Sequence, residues 1–253
     1  MYHFFVNPEQ IQDSEIVILG TDVNHIRNVL RMKPGEKVSV STDGAFREYQ
    51  CEISKIEPDC IRLGVLSVEE ENRELPCRIT LFQGLPKSDK MELIIQKAVE
   101  LGVYAVVPVE TRRTVVKLDA KKEQNKLKRW NAIAQSAAKQ SGRMVIPKVR
   151  ESMKLADALA YAQSLDHIFI PYEHAQGMAK SREFLQAVKS GQSVGIFIGP
   201  EGGFEESEVQ KACGMGAQPV SLGRRILRTE TAGLAILSVL MFQLECNDAI
   251  GIN

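Results

Sequence analysis

The spacing of hydrophobic and polar residues changes its period once along the chain, near residue 70. Before that point short, mostly apolar runs dominate: EIVIL (15–19), KVSVS (37–41), YQCEISKI (49–56) and CIRLGVL (60–66). Such runs, rich in Val and Ile and bounded by turn residues, predict strands. Asp43-Gly44 predicts a hairpin turn between the second and third. One helix is expected over TDVNHIRNVLRM (21–32), with Thr21 or Asp22 as N-cap and Pro34-Gly35 as its stop. Several short strands at close spacing predict a small β-barrel. SVEEENRELP (67–76) is polar, acidic and proline-terminated; it reads as a linker between domains at 1–70 and 71–253.

From Cys77 the pattern alternates between buried strands and amphipathic helices. RITLFQGL (78–85), VYAVVPV (103–109), HIFIP (167–171), SVGIFIG (193–199) and QPVSLG (218–223) predict strands. Met91, Ile94, Ile95, Ala98, Val99 and Leu101 recur at helical spacing, with Asp89 as cap and Gly102 as stop. Further helices are expected near 119–141, 153–164, 178–188 and 205–216, and a last one from about Thr231 to Glu245. This order predicts an α/β domain: a mostly parallel sheet with helices on both faces.

Composition adds limits. The 253 residues are 44% hydrophobic and 25% charged, enough for a sizeable core. Lys and Arg (32) balance Asp and Glu (32), so a nucleic-acid role requires a local patch. Five scattered cysteines without a C-x-x-C pair point away from zinc and disulfides, towards reduced thiols and a cytoplasmic protein; no metal site is expected. MYHFFVNPEQ lacks the form of a signal peptide. The apolar run Ala232–Phe242 is shorter than the ~20 residues a bilayer needs, so no membrane partner is expected.

In open parallel sheets ligands bind beyond the carboxyl ends of the strands. Three strands here end in unusual loops: FIPYEH (169–174), IGPEGGF (198–204) and LGRRILRTETA (222–232). Gly199, Gly202 and Gly203 let backbone turn sharply or approach a ligand. A phosphate cradle would add a cation, yet no Lys or Arg lies between Ser190 and Lys211, and Glu201, Glu205, Glu206 and Glu208 crowd the loop. The loop therefore suits a ligand that is neutral or cationic there, or it is a tight turn before an acidic first helical turn. In the third loop Ile226 and Leu227 stand among Arg224, Arg225, Arg228 and Glu230 and offer a slot for a flat heterocycle. Thr229 or Thr231 can cap the helix that follows.

These last two segments, IGPEGGFEESEV and LGRRILRTETAGLAIL, resemble the signatures of the bacterial 16S ribosomal RNA uridine-N3 methyltransferases, of the SPOUT class. HIRNVLRMKPGE (25–36), QGLPKSDKMELIIQKAVELGV (83–103) and AAKQSGRMVIPKV (137–149) resemble the same family. The resemblance implies a PUA-like, RNA-binding barrel over 1–70 and a methyltransferase domain over 71–253 ending in a trefoil knot. It implies S-adenosylmethionine as methyl donor, a homodimer, and 16S ribosomal RNA within the small subunit as partner. The target it implies is uridine N3 in the decoding region. Carried onto this sequence, it places the donor on Pro171, Tyr172, Ile198, Gly199, Glu201, Gly202, Leu222, Gly223, Ile226, Leu227, Arg228, Thr231 and Ala232. Glu201 either touches the donor or caps the next helix.

N3 must lose a proton as it attacks. Glu230 takes it as a base, or Arg228 stabilises the developing uracil anion; the second is preferred. Residues 112–150 hold twelve Lys or Arg, Lys117 among them, against Asp119 and Glu123, a patch suited to RNA backbone. Arg112, Arg113 and Arg143 belong to it. Lys87 and Lys90, and in the first domain His25, Arg27 and Arg31, extend the expected RNA surface. The rival readings are a non-catalytic RNA-binding or ribosome-assembly protein, a nucleotide-dependent α/β enzyme, and a SPOUT methyltransferase with another RNA target.

Overall fold

A computed structural model describes residues 1–70, 72–116, 119–175 and 177–250, the last four as backbone. Glu71 and Lys117, part of the expected linker and basic patch, lie outside the described residues. By its internal packing the chain divides into one unit of Met1–Glu74 with Ala138–Ile146, and a second of Leu75–Ala137 with Pro147–Asn253. The stretch 138–146 joins the first unit from far along the chain, a link invisible to a division at residue 70.

The first unit holds β1 (Tyr2–Phe5), β2 (Ile11–Gln12), β3 (Glu15–Leu19), α1 (Thr21–Asn24), β4 (Lys37–Ser41), β5 (Arg47–Ile56) and β6 (Cys60–Glu70). Its strands form one sheet in the order β1-β4-β5-β6-β3-β2. β1 runs parallel to β4 and the other neighbours are antiparallel. Ile16, Ile18, Ile26, Val38, Val40, Ile53, Ile61 and Leu63 fill one core.

Three expectations need correction. Ser67–Glu70, read as linker, continues β6 and pairs with Arg47–Gln50, where Arg47 bonds Glu70. The helix over 21–32 is a single α turn followed by a π-helical turn, His25–Val29, closed by Leu30 N–H on the His25 carbonyl (2.9 Å). Gly20 (φ 75°), not Thr21 or Asp22, stands at its N-cap; Asp22 instead takes the Lys139 ammonium (2.7 Å). β1 was not anticipated, since its four residues carry no period of their own.

Ser39 and Ser41 are buried as fully as the valines between them, because a polar layer covers that side of β4. His3 Nδ1 meets Ser39 Oγ (2.9 Å) and Glu48 Oε1 (3.2 Å), and Arg73 binds the other oxygen of Glu48. Arg143 is buried against Glu74, whose carboxylate also accepts the Met144 N–H (2.9 Å).

The second unit contains β7 (Arg78–Gly84), α2 (Lys90–Glu100), β8 (Ala105–Glu110), α3 (Ala120–Ser141, its end counted with the first unit), β9 (Lys148–Val149), β10 (Met153–Lys154) and α4 (Leu155–Ala162). β11 (His167–Pro171), α5 (Met178–Gln186), β12 (Ser193–Ile198), α6 (Glu206–Gly214), β13 (Gln218–Val220) and α7 (Thr229–Ile250) follow. Among the described residues the sheet is parallel throughout, in the order β10-β8-β7-β12-β11-β13, with β9 beside β8. Successive strand residues face opposite sides. Phe82, Val107, Ile168, Ile170 and Phe197 pack with α4 and α6. On the other side α7 approaches so closely that a Cβ on Gly233 would lie 3.6 Å from both Ile198 and Leu81. α7 is longer than expected, and its 18-residue stretch Thr229–Cys246 is apolar enough to cross a membrane by length and composition. Here Ile236, Leu237, Leu240 and Leu244 are buried, and α7 packs on α2 and β12.

The polar layer predicts a pH dependence. Burial holds the His3 imidazole below its ordinary pKa, with Glu48 opposing. Burial alone would raise Glu48, but its bonds from Arg73 and Ser39 bring it below its usual value. Both shifts are downward, so the unfolded chain takes up protons first as pH falls. Stability is therefore full above about 6.5 and declines below it, at up to ~1.4 kcal/mol per pH unit for the His3 proton. Glu48 adds a further loss in the carboxylate range. Denaturant midpoints measured from pH 7 to 5 should flatten in His3→Gln; a parallel curve would clear His3 of the effect.

Candidate functional site

β12, β11 and β13 lie side by side and parallel, so the loops after them emerge together. With the start of α7, Lys90 at the start of α2 and Arg113 beyond the end of β8 they enclose a pocket of about 520 Å³. Close backbone contact shapes it. A Cβ on Gly84, at the end of β7, would fall 2.6 Å from Pro200 N; one on Gly199 would fall 2.9 Å from the Gly203 backbone. The glycine loop thus folds tightly on itself and presses against β7, a geometry open only without side chains.

Side chains lock this arrangement. The Thr229 hydroxyl donates to the Gly199 carbonyl (2.6 Å) and accepts from Gln83 Nε2 (2.8 Å). It is therefore occupied as a tie, and the Arg228 carbonyl, not a threonine cap, receives the first helical N–H groups, those of Thr231 and Ala232. Glu201 neither caps α6 nor stands free. It accepts the Lys87 N–H (3.0 Å) and pairs with Lys90 (3.0 Å), joining the glycine loop to the start of α2. Burial pushes its carboxyl up, but its own backbone N–H, Lys90 and Lys87 together hold it below the ordinary range. α6 is capped by Glu205 in a reciprocal box with Glu208. Arg112 bonds both, its N–H on Glu208 and its guanidinium on Glu205 (both 2.9 Å). The acidity of the loop is thereby spent on a helix terminus, on Arg112 and on Lys90.

Of the expected donor-binding residues, Pro171, Tyr172, Ile198, Gly199, Glu201, Gly202, Ile226, Leu227, Arg228 and Ala232 line the pocket. Leu222 and Gly223 line an adjoining recess of about 210 Å³. Thr231 is exposed and lines neither. Glu230, a candidate base, lines neither too. Its Oε2 is buried without a hydrogen bond, 3.7 Å from Lys90. Sequence reasoning missed Lys90, Arg113, Glu173, Pro200, Gly203, Phe204 and Thr229 as pocket residues. For Pro200, Gly203 and Phe204 the signal was present in their place beside the glycines; for Lys90 and Arg113 nothing local gave it.

The expected RNA contacts divide. His25, Arg27, Arg31 and Lys87 are exposed. Lys90 is engaged with Glu201, Arg112 with Glu205, and Arg113 with the Gly202 carbonyl (2.6 Å). Arg143, 5% exposed and bound to Glu74, is a buried tie and offers no charge to a surface. Among the described residues no group of three His, Cys, Asp or Glu is arranged to hold a metal ion.

Family comparison fits this geometry. A model described as RNA methyltransferase domain matches residues 73–241, spanning all three loops, and one described as RNA methyltransferase PUA domain matches 18–65. A ribosomal RNA small subunit methyltransferase E from Bacillus subtilis is 38% identical over 248 residues, covering 96% of each chain. The chain belongs to the ribosomal RNA small subunit methyltransferase E family. Among solved members, the enzyme from Neisseria gonorrhoeae bound to S-adenosylmethionine superposes with a TM-score of 0.84 at 32% identity, covering 96% of this chain and 97% of that one. A Legionella pneumophila methyltransferase in complex with the same cofactor gives a TM-score of 0.84 at 32% identity, covering 95% and 97%. This RNA methyltransferase therefore has relatives of near-equal length along both of its units.

The ties make a direct prediction. Thr229→Val keeps the shape but strands the Gly199 carbonyl and one N–H of the Gln83 amide, whose other bond goes to the Gly84 carbonyl, at a cost of about 1–3 kcal/mol. Lys90→Met frees the glycine loop from α2. Urea unfolding should show the first loss, and hydrogen exchange should show faster opening around 199–204 in the second. Protection equal to wild type in Lys90→Met would mean the Glu201 pair holds nothing.

Proposed function

We propose that this RNA methyltransferase transfers a methyl group from S-adenosylmethionine to N3 of a uridine in the decoding region of 16S ribosomal RNA. The carrying observation is the pocket beside Gly199. Backbone and apolar side chains line it together with Lys90, Arg113, Glu173, Glu201 and Arg228; it falls within the usual size of small-molecule sites, and Lys90 and Arg113 are held by internal partners, which leaves Arg228 as its one cation without a side-chain partner among the described residues. Such a lining fits an uncharged adenine-ribose and a sulfonium. The two solved relatives carrying that donor support the same reading.

In this reading Ile198, Ile226 and Leu227 flank the adenine, and backbone around Gly199, Gly202, Leu222 and Gly223 meets its polar edge. Pro171, Tyr172, Glu201 and Ala232 complete the setting, and Thr231, outside both linings, takes no part in it. The bound donor supplies an activated methyl carbon. N3 would form the new bond to that carbon as the carbon–sulfur bond breaks, with the electron pair staying on sulfur and the N3 proton passing to solvent water. Arg228 is the pocket cation whose guanidinium makes no hydrogen bond or ion pair among the described residues, which suits it to hold the negative charge that develops on uracil. Glu230, turned to Lys90 and outside the lining, is poorly placed as the base.

The remaining expectations join this proposal. Residues of the glycine loop and the start of α7 are read as a trefoil knot, supported by the Thr229 tie to Gly199. The first unit is read as a PUA-like barrel that meets RNA through His25, Arg27 and Arg31, in the cytoplasm and within the small ribosomal subunit. A second copy is read as covering the groove of about 890 Å³ between α5 and α7, where Met178, Val239 and Phe242 are 54%, 49% and 70% exposed.

Calorimetry should show binding of S-adenosylmethionine and none of ATP. Arg228→Ala should lose methylation by ~10²-fold or more while keeping donor affinity; loss of affinity with turnover preserved would refute the role. Mass mapping of 16S ribosomal RNA from a deletion strain should lack one methyluridine. Phe242→Asp should shift the sedimentation coefficient from dimer to monomer, and a wild-type monomer would remove the dimer from the proposal.

A further inference from the structure

The recess beside the pocket adds two arginines, Arg224 and Arg225, to the one whose side chain is without a partner in the pocket, Arg228. Recess and pocket share the wall formed by Tyr172, Ile226 and Leu227. In the pocket, Lys90 and Arg113 are bound to protein groups. In the recess, Arg224 and Arg225 are exposed, and among the described residues neither makes a hydrogen bond or ion pair. Their backbone is nevertheless fixed at both ends. The Ser221 N–H donates to Ser181 Oγ (2.7 Å), Gly223 turns the chain at φ 118°, and Thr229 anchors the far end to Gly199 (2.6 Å). Two guanidinium groups thus stand unpaired on a rigidly held loop.

We propose that Arg224 and Arg225 are a binding subsite for phosphates of the RNA strand next to the methylated base. This rests on the function proposed above. A guanidinium fork fits a phosphate in two parallel bonds, and two forks in succession fit a repeating anion better than one carboxylate. Ile226, 87% exposed between the arginines and the pocket, gives an unstacked base an apolar face as the strand turns inward. The donor then meets the inner wall of pocket and recess, including Leu222 and Gly223, and the anionic strand lies on the exposed arginine side chains at the rim of the recess.

The full chain is tested with in vitro transcribed 16S ribosomal RNA and, separately, with S-adenosylmethionine. Affinity for the RNA is measured across salt concentrations for wild type and for Arg224→Ala/Arg225→Ala. Loss of two phosphate contacts should lower the salt slope by about 1.4, at ~0.7 per contact on a single strand. Donor affinity should stay within about twofold of wild type, and Arg→Lys at both sites should restore most of the slope because Lys also binds phosphate as a point charge. Each single substitution reads half the effect if the double variant folds poorly. An unchanged slope overturns the subsite. So does weakened donor binding with the slope intact, which would make the arginines a clamp for the donor carboxylate. Wild-type protein that binds RNA with this slope but no donor would instead defeat the methyl-donor reading and leave the subsite standing.

Discussion

The start of α7 has to meet the end of β12, and one hydroxyl makes that meeting. Thr229 is 6% exposed, and its oxygen joins the Gly199 carbonyl to the Gln83 amide at the end of β7. Three segments distant in sequence are thereby held at one point, inside a pocket wall. Because a buried polar group left unpaired is costly, the tie works as a constraint on all three. It fixes the glycine loop against Gly84 and sets where Ile226, Leu227 and Arg228 leave the loop for the helix. Gln83 Oε1 and Glu230 Oε2, both buried without hydrogen bonds, lie beside this tie. Uncompensated polar atoms concentrate where pocket geometry takes precedence over full pairing.

Charge follows the same economy. The glutamates of 201–208 look like a field prepared for a cation, yet most of that charge is consumed locally. Glu205 and Glu208 satisfy the free N–H groups of α6 and hold Arg112, and Glu201 holds Lys87 and Lys90. What reaches the pocket is mainly backbone and apolar surface. Lys90 and Arg113, bound to Glu201 and to the Gly202 carbonyl, are thereby unavailable to a phosphate, and Arg228 is the pocket cation whose side chain has no partner among the described residues.

The alternation of elements in the second unit was legible because a parallel sheet buries both faces, so its strands read as continuous apolar runs such as RITLFQG and SVGIFI. The three loops were legible too, from glycines and from bulky apolar residues between charges. What stayed hidden has two physical causes. Strand ends that face water carry no apolar period, so Ser67–Glu70 passed for linker although it pairs with β5. Hydrogen bonds and ion pairs join residues far apart: the Lys87 N–H and the Glu201 carboxylate are 114 positions apart, the Arg112 and Glu205 side chains 93, and those of Arg143 and Glu74 69. A charge run shows that cations exist, not which are already paired. For this reason Lys90, Arg112, Arg113 and Arg143 read as surface charges.

Removing those four from the free surface changes what the remaining cations mean. Arg224, Arg225 and Arg228 stand together on one held loop, unpaired among the described residues, while nearby cations of the pocket rim are neutralised. An unpaired guanidinium on fixed backbone has already lost part of the entropy that a flexible side chain loses on binding, and it has no internal partner to give up. The loop that begins at Gly223 and ends at Thr229 therefore carries most of the uncommitted positive charge at the site. Its apolar middle, Ile226 and Leu227, separates the recess from the pocket and allows one short segment to face two ligands of opposite charge.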